Sequence, residues 1–467
     1  FPYTTLFRSD KTNSYVRAGA FRSISHDSLR RWAWGGALDM AVAAGFTSTI
    51  VVQQAYGELR WKKGLVTVGS KEQPMELKNQ ELSSGSQTLG VNARPVPSVR
   101  LSLPQYWDVP GFGGWLGIKG HIAYGMSTDD RWQKHFTHRQ SKYAEHTRLH
   151  TKAGYLRIGK ADKPLTAEVG MEMACQYGGT SYHENIDGMM EIKNEGGLKG
   201  MWHALVPSGK GEYDKLDYHN SDGNHLGSYV MRLNLDYEKW GASVYADHFF
   251  EDQSSMFFLD YDGYGTGAEW NDKKDTRFFL YDMRDIMLGA ELRIKQCRWF
   301  SDVMVEYIYT KYQSGPIYHD HTMSISDHIS GVDDYYNHGL MPGWQHWGQV
   351  MGNALYRSPL YNSDGVINCD DNRFWAWHVG MAGSPAEGLH YRLLASMQKG
   401  WGTYMRPLLA PARNFSLMAE AGYHFPGGGS LSGWSVRCSA GLDSGELLGD
   451  NYGVQVTIGK QIMLRKR

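Results

Sequence analysis

Between residues 335 and 353 the chain reads YYNHGLMPGWQHWGQVMGN, which places two Tyr, two Trp, two His and two Asn in nineteen positions without a helix or strand period. Flat indole and phenol faces stack on the apolar C–H faces of sugar rings, while Asn, His and Gln exchange hydrogen bonds with hydroxyls. Asn337, His338, Trp344, His346 and Trp347 are therefore candidates for a carbohydrate-binding surface. The competing reading folds the same loop back on the protein. Trp344 and Trp347 would then be packing groups, and His338 and His346 satisfied polar ones.

Other chemistry-bearing groups are less specific. YHDHT at 318–322 offers His319, Asp320 and His321, but it has no third fixed ligand for a metal. The acidic pairs Asp129/Asp130, Asp333/Asp334 and Asp370/Asp371 lack the spacing of a calcium loop and read as turn residues. GYGTGAEW lacks the strand-then-helix context of a dinucleotide fingerprint, and neither a GxSxG elbow nor a P-loop occurs. Cys175, Cys297, Cys369 and Cys438 are far apart with no CxxC. Neither a metal nor a cofactor is implied, and no catalytic residue is assigned.

What must position these loops is set by composition and pattern. The 467 residues carry a net charge of −1, without the clustered cationic excess that nucleic-acid binding needs. Aromatic residues make up 13% and Gly numbers 55, a balance that favours strands and turns. No stretch is long and apolar enough for a transmembrane helix; the richest, ALDMAVAAGF, is short and contains Asp39. Residues 1–9, FPYTTLFRS, match a translated sequencing adapter and are set aside, leaving 10–467 as one expected domain. The chain starts with Phe, so a missing secretion signal is uninformative.

Period-two alternation recurs throughout. Tyr229, Met231, Leu233, Leu235 and Tyr237 fall on one face, and Arg232, Asn234, Asp236 and Glu238 on the other. Ile286, Leu288, Ala290, Leu292 and Ile294 oppose Asp285, Glu291, Arg293 and Lys295; Val303, Val305, Tyr307 and Tyr309 oppose Asp302 and Glu306. Roughly 16 to 18 strands are expected. Such alternation suits a soluble sandwich or a membrane barrel. The connections favour the barrel, because short ones (239, 296–298, 381–388, 426–431) alternate with long ones (252–284, 312–371, 399–413). Tight periplasmic turns and long outer loops produce that parity. Tyr229, Tyr237, Trp299, Tyr309 and Tyr391 sit near strand ends, where interfacial aromatic girdles form. The polar stretch 127–150 is expected to hold a short helix in a loop.

Several blocks resemble the Wzi family of bacterial capsule assembly proteins. They are VGSKE, LSSGSQTLGVNARPVPSVRLSLPQYW, GWLGIKGHIAYGMSTDDRWQ, the 335–362 segment, RFWAWHVGMAG, GWGTYMRPL and LLGDNYGVQVTIGK. The resemblance implies an all-β, transmembrane antiparallel barrel of about 18 strands in the outer membrane of a Gram-negative bacterium. It further implies a non-catalytic lectin that retains capsular polysaccharide, embedded in outer-membrane lipid as a monomer. The QIMLRKR end departs from the terminal aromatic common in such barrels. Glu72, Arg94, Arg100, Arg232, Glu291 and Arg293 are expected as lumen or structural polar groups. A substrate-selective outer-membrane channel and a secreted β-rich glycan hydrolase are the alternatives.

Overall fold

The alternating segments form the strands they encode. The computed structural model describes residues 12–27, 30–45, 48–186, 188–207, 223–251, 258–261, 263–279, 283–318, 321–326, 329–427 and 429–462. Within them a 17-stranded sheet runs from Ser14–Arg22 to Asn451–Lys460. Every strand pairs antiparallel with the sheet strand before and after it in the chain. The first and last strands meet through side chains: Gln455 Nε2 donates to Tyr15 Oη (3.0 Å), which lies 3.1 Å from Thr457 Oγ1. The sheet is an antiparallel transmembrane β-barrel.

The faces fall as the alternation requires. Met231, Leu233, Val244, Leu288 (46% exposed), Leu292, Val305 and Trp377 point outward and are exposed, whereas Glu291 and Glu306 (1% exposed) point inward. A sandwich would bury the first set under a second sheet, and none of the described residues covers it. In lipid, outward apolar side chains and a ladder pairing all backbone groups are what a spanning structure requires. Among the described residues no helix is long and apolar enough to cross a membrane, which leaves crossing by strands unaffected.

Connections keep the expected parity. One end carries the turns 62–63, 237–239 and 387–388; the other carries 71–97, 127–147, 178–223, 252–285 and 310–373. The expected long connection at 399–413 is instead the short turn 403–406 between Leu389–Gly402 and Pro407–His424. Pro407 and Pro411 sit where the register slips between Gly400 and Gly402, at a bulge that tolerates a missing N–H, so the strand runs on through them. The expected helix is Asp130–Phe136.

The interior is a packed core. Wall residues Leu226, Tyr245, Phe249, Met287, Met304, Ile308, Phe374, Leu394 and Met418 form one apolar cluster with loop residues Leu82, Tyr335, Tyr336, Trp344, Val350, Met351 and Tyr356. Segments 71–97 and 333–371 therefore lie inside the barrel. They cross at glycines: Gly90 N–H donates to Met351 O (3.0 Å), and a Cβ on Gly90 would sit 2.2 Å from Gly352 O. At that approach only hydrogen fits.

Candidate functional site

The outer face of this filling is built from the wall upward. Inward carboxylates on or beside the strands accept N–H and O–H groups, most of them from the two inserted segments. Glu306 accepts from Ser84 N (2.8 Å), Ser83 Oγ (2.6 Å) and Tyr245 Oη (2.6 Å). Asp247 accepts from Gln87 N (3.1 Å) and pairs with Lys78 Nζ (3.1 Å), both side chains being buried. Glu251 accepts from Tyr336 N (2.6 Å), and Asp285 from Tyr312 N (2.9 Å) and Tyr335 Oη (3.0 Å). A loop threaded through a barrel has no ladder of its own, so its backbone groups need such partners.

The five aromatic and polar candidates occupy distinct places in this frame. Trp344 is 2% exposed and its Nε1 donates to Thr88 O (2.9 Å), tying the two inserted segments together. Asn337 is buried, donating to Asp334 Oδ1 (2.9 Å) and accepting from Cys369 N (2.7 Å). His346 is buried between Arg94 O (2.7 Å) and Thr128 Oγ1 (3.1 Å), and burial lowers its pKa below the ordinary histidine value. For these three the inward-folded reading describes the placement. The rings have no open face for a sugar, because the loop satisfies its backbone by entering the barrel.

Trp347 and His338 are only partly buried. Trp347 takes a left-handed backbone (φ 56°) that few non-glycine residues adopt. The Arg94 guanidinium lies 4.7 Å from its ring centre, and its Nε1 donates to Thr128 Oγ1 (3.3 Å). His338 Nδ1 accepts from the N–H groups of Leu340 and Met341 (3.0 Å each). Burial, with Lys142 nearby, pulls its imidazole down to about 3, so it stays a neutral acceptor.

The expected polar groups face inward or brace the wall. Glu72, Arg94 and Arg100 line a cavity of about 140 Å³ together with His121 and Trp344. Glu72 also accepts from Gln53 Nε2 (2.5 Å). Arg232 donates to Glu291 (2.5 Å) and to Leu77 O (3.1 Å), and Arg293 stands 3.8 Å from Glu291 at a more open position. The anchoring carboxylates Glu306, Asp247 and Glu251 are not among the sequence candidates. Their signal is an acid on the inward side of an otherwise apolar strand, visible at Glu306 alone.

Of the weaker candidates, His319 and Asp320 lie outside the described residues, and His321 stacks on Tyr264 at 3.5 Å. Among the described residues no three His, Cys, Asp or Glu side chains converge as a metal site. The acidic pairs serve as acceptors: Asp129 for Trp347 N (3.1 Å) and Asp371 for Gly402 N (3.0 Å).

Asp371 has a measurable consequence. Burial pushes its carboxyl up to about 6, only partly offset by the Gly402 N–H. The folded chain thus keeps a proton that the unfolded chain releases from about pH 4 upward, so stability is gained as pH falls through 6 and lost as it rises. Asp371→Asn removes the charge and keeps an acceptor for Gly402. It is expected to raise the unfolding free energy at pH 8 by up to about 3 kcal/mol and to leave it unchanged at pH 4. Denaturant titration in micelles at the two pH values measures this.

No protein-family model matches the chain, and no curated protein matches it. Among solved structures it is similar to Wzi of Escherichia coli, an outer-membrane protein involved in group 1 capsule assembly and a carbohydrate-binding β-barrel. The likeness covers 95% of this chain and 77% of that one, with a TM-score of 0.55 and 13% identity. It is looser to the Pseudomonas aeruginosa barrel OprD, covering 97% and 91% at a TM-score of 0.42 and 10% identity. The resemblance read from the sequence blocks therefore holds in the fold.

Proposed function

We propose that this chain is an outer-membrane barrel of a Gram-negative bacterium that retains capsular polysaccharide at the cell surface without chemical turnover. The observation that carries this reading is the filled interior. Segments 71–97 and 333–371 share the core with the wall and are pinned by Glu306, Asp247, Glu251 and Asp285. A barrel closed by its own loops suits a platform better than a pore, and its long connections all gather at one end. The fold likeness to a carbohydrate-binding barrel points the same way.

In this reading Trp347 and His338 contact sugar, while Asn337, Trp344 and His346 hold the loop in shape. A single stacked sugar contributes only about 1 kcal/mol, so retention relies on repeated units of one polymer rebinding. Trp347→Ala is expected to cut pull-down of cognate capsular polymer severalfold while leaving the unfolding free energy within about 0.5 kcal/mol of wild type. Undiminished pull-down by that variant would remove Trp347 from the site. Steady planar-bilayer conductance would instead support a channel, and new reducing ends released from the polymer a hydrolase.

A further inference from the structure

The outward face of the barrel changes character at the loop end of neighbouring strands. Along Ile286–Ile294, Asp302–Tyr309, Phe374–Ala386, Leu389–Gly402 and Pro407–His424 the outward positions are mostly apolar, with Leu288, Val305, Trp377, Val379, Met397, Phe415 and Leu417 exposed. Moving toward the loops, one cation stands at or just beyond the end of each strand: Lys399 and Arg413 at outward strand positions, and Arg284, Lys311 and Arg373 one or two residues past the strand ends. At the turn end of the same strands the outward positions are Ile294, Val303, Met381, Tyr391 and Tyr423, none of them charged.

The register puts these cations on two adjacent rungs, Lys399 and Arg413 on the inner one and Arg284, Lys311 and Arg373 on the outer one. Tyr309 pairs with Trp375, Trp375 with Lys399, and Lys399 with Arg413. One rung further out, Trp401 N–H donates to Arg373 O (2.9 Å), so Arg373 and Trp401 continue the ladder. Aromatic rings lie among the charges. Lys311 Nζ is 4.2 Å and Lys399 Nζ 5.3 Å from the Trp401 ring centre, Arg373 lies 3.6 Å over Tyr404, and Arg284 4.6 Å over Tyr312.

Among the described residues no carboxylate lies within ion-pair distance of Lys311, Arg373, Lys399 or Arg413. Glu446, the acid beside Arg413, accepts instead from its backbone N–H (3.2 Å). Like charges directly opposed on paired strands, as at Lys399 and Arg413, are destabilising unless a counter-charge sits between them. Except on Pro407–His424, where exposed Leu409 lies further out, the stripe follows the last outward apolar side chains, and its rings are of the interfacial kind found at the depth of lipid headgroups.

We propose that this stripe is a binding site for the phosphate groups of lipid headgroups in the membrane leaflet on the loop side. Lys399 and Arg413 clasp one phosphate between the paired strands, while Lys311 and Arg373 hold a neighbouring one. The acyl chains of the same lipid lie along Met397, Trp377 and Phe415. The inference rests on the barrel spanning a membrane and is independent of polysaccharide retention.

The test uses the full chain in dodecyl maltoside micelles, with bis-phosphorylated lipid A as probe and retained lipid counted by native mass spectrometry. Wild type is expected to hold the phosphorylated probe at least tenfold more tightly than its dephosphorylated form. Lys399→Gln/Arg413→Gln is expected to lose at least that factor, while Lys62→Gln/Lys63→Gln at the turn end keeps wild-type binding. Heat-modifiable gel migration verifies that each variant is folded. Equal retention by the Lys399→Gln/Arg413→Gln variant, equal retention of the dephosphorylated lipid, or complete displacement by equimolar inorganic phosphate would each overturn the assignment. Failure of wild type to pull down polymer while it holds the phosphorylated probe would count against the proposed function and leave this site standing.

Discussion

Trp344→Ala is expected to destabilise the folded barrel by about 3–5 kcal/mol, the range for truncating a fully buried aromatic ring. The indole belongs to the apolar cluster shared by wall and inserted loops, and its Nε1 is bonded to Thr88 O across 256 residues of sequence. Truncation opens a cavity where the two inserted segments meet and leaves a buried carbonyl without a donor. Two readouts separate this role from sugar contact. Trp344→Ala should lower the urea midpoint of the micellar protein strongly, and it should lose polymer pull-down only in proportion to unfolding. Its neighbour Trp347→Ala should behave the opposite way. A Trp344→Ala variant of unchanged midpoint that fails to bind polymer would return Trp344 to the contact surface.

Glu306→Ala is expected to be the most damaging change in the wall. Three donors meet this one carboxylate: Ser84 N, Ser83 Oγ and Tyr245 Oη. Leaving buried donors unsatisfied costs about 1–3 kcal/mol each, and water entering the vacated space recovers part, giving a net loss of about 3 kcal/mol. Glu306→Gln keeps one acceptor and should lose roughly half as much. Because the lost bonds hold segment 71–97, the alanine variant should also show brief conductance steps in planar bilayers where wild type shows none. Equal midpoints for wild type and Glu306→Ala would mean that the segment is held without this anchor.

Both outcomes depend on contacts that no local pattern announces. Ser84 and Glu306 are separated by 222 residues. By contrast, Leu288, Leu292 and Val305 on one side and Glu291 and Glu306 on the other could be assigned to faces from alternation, because side chains of a strand alternate wherever the strand lies. The misassigned connection at 399–413 shows the limit of that rule: a bulge carrying Pro407 and Pro411 hides the pairing that the register displays.

The sequence by itself determined the wall. Period-two alternation, aromatic strand ends and the parity of connection lengths are local properties, and together they favour an apolar exterior, two unlike ends and antiparallel neighbours throughout. Only the tertiary structure decided what fills the cylinder and what rings it. Composition left the 335–353 loop open between a sugar surface and an inward fold, and the Tyr336 N–H and Tyr335 hydroxyl found acceptors on Glu251 and Asp285, far away in sequence. The cations from Arg284 to Arg413 are scattered singly along the chain. They become one stripe because interstrand register, rather than nearness in sequence, sets the height of each residue on the barrel.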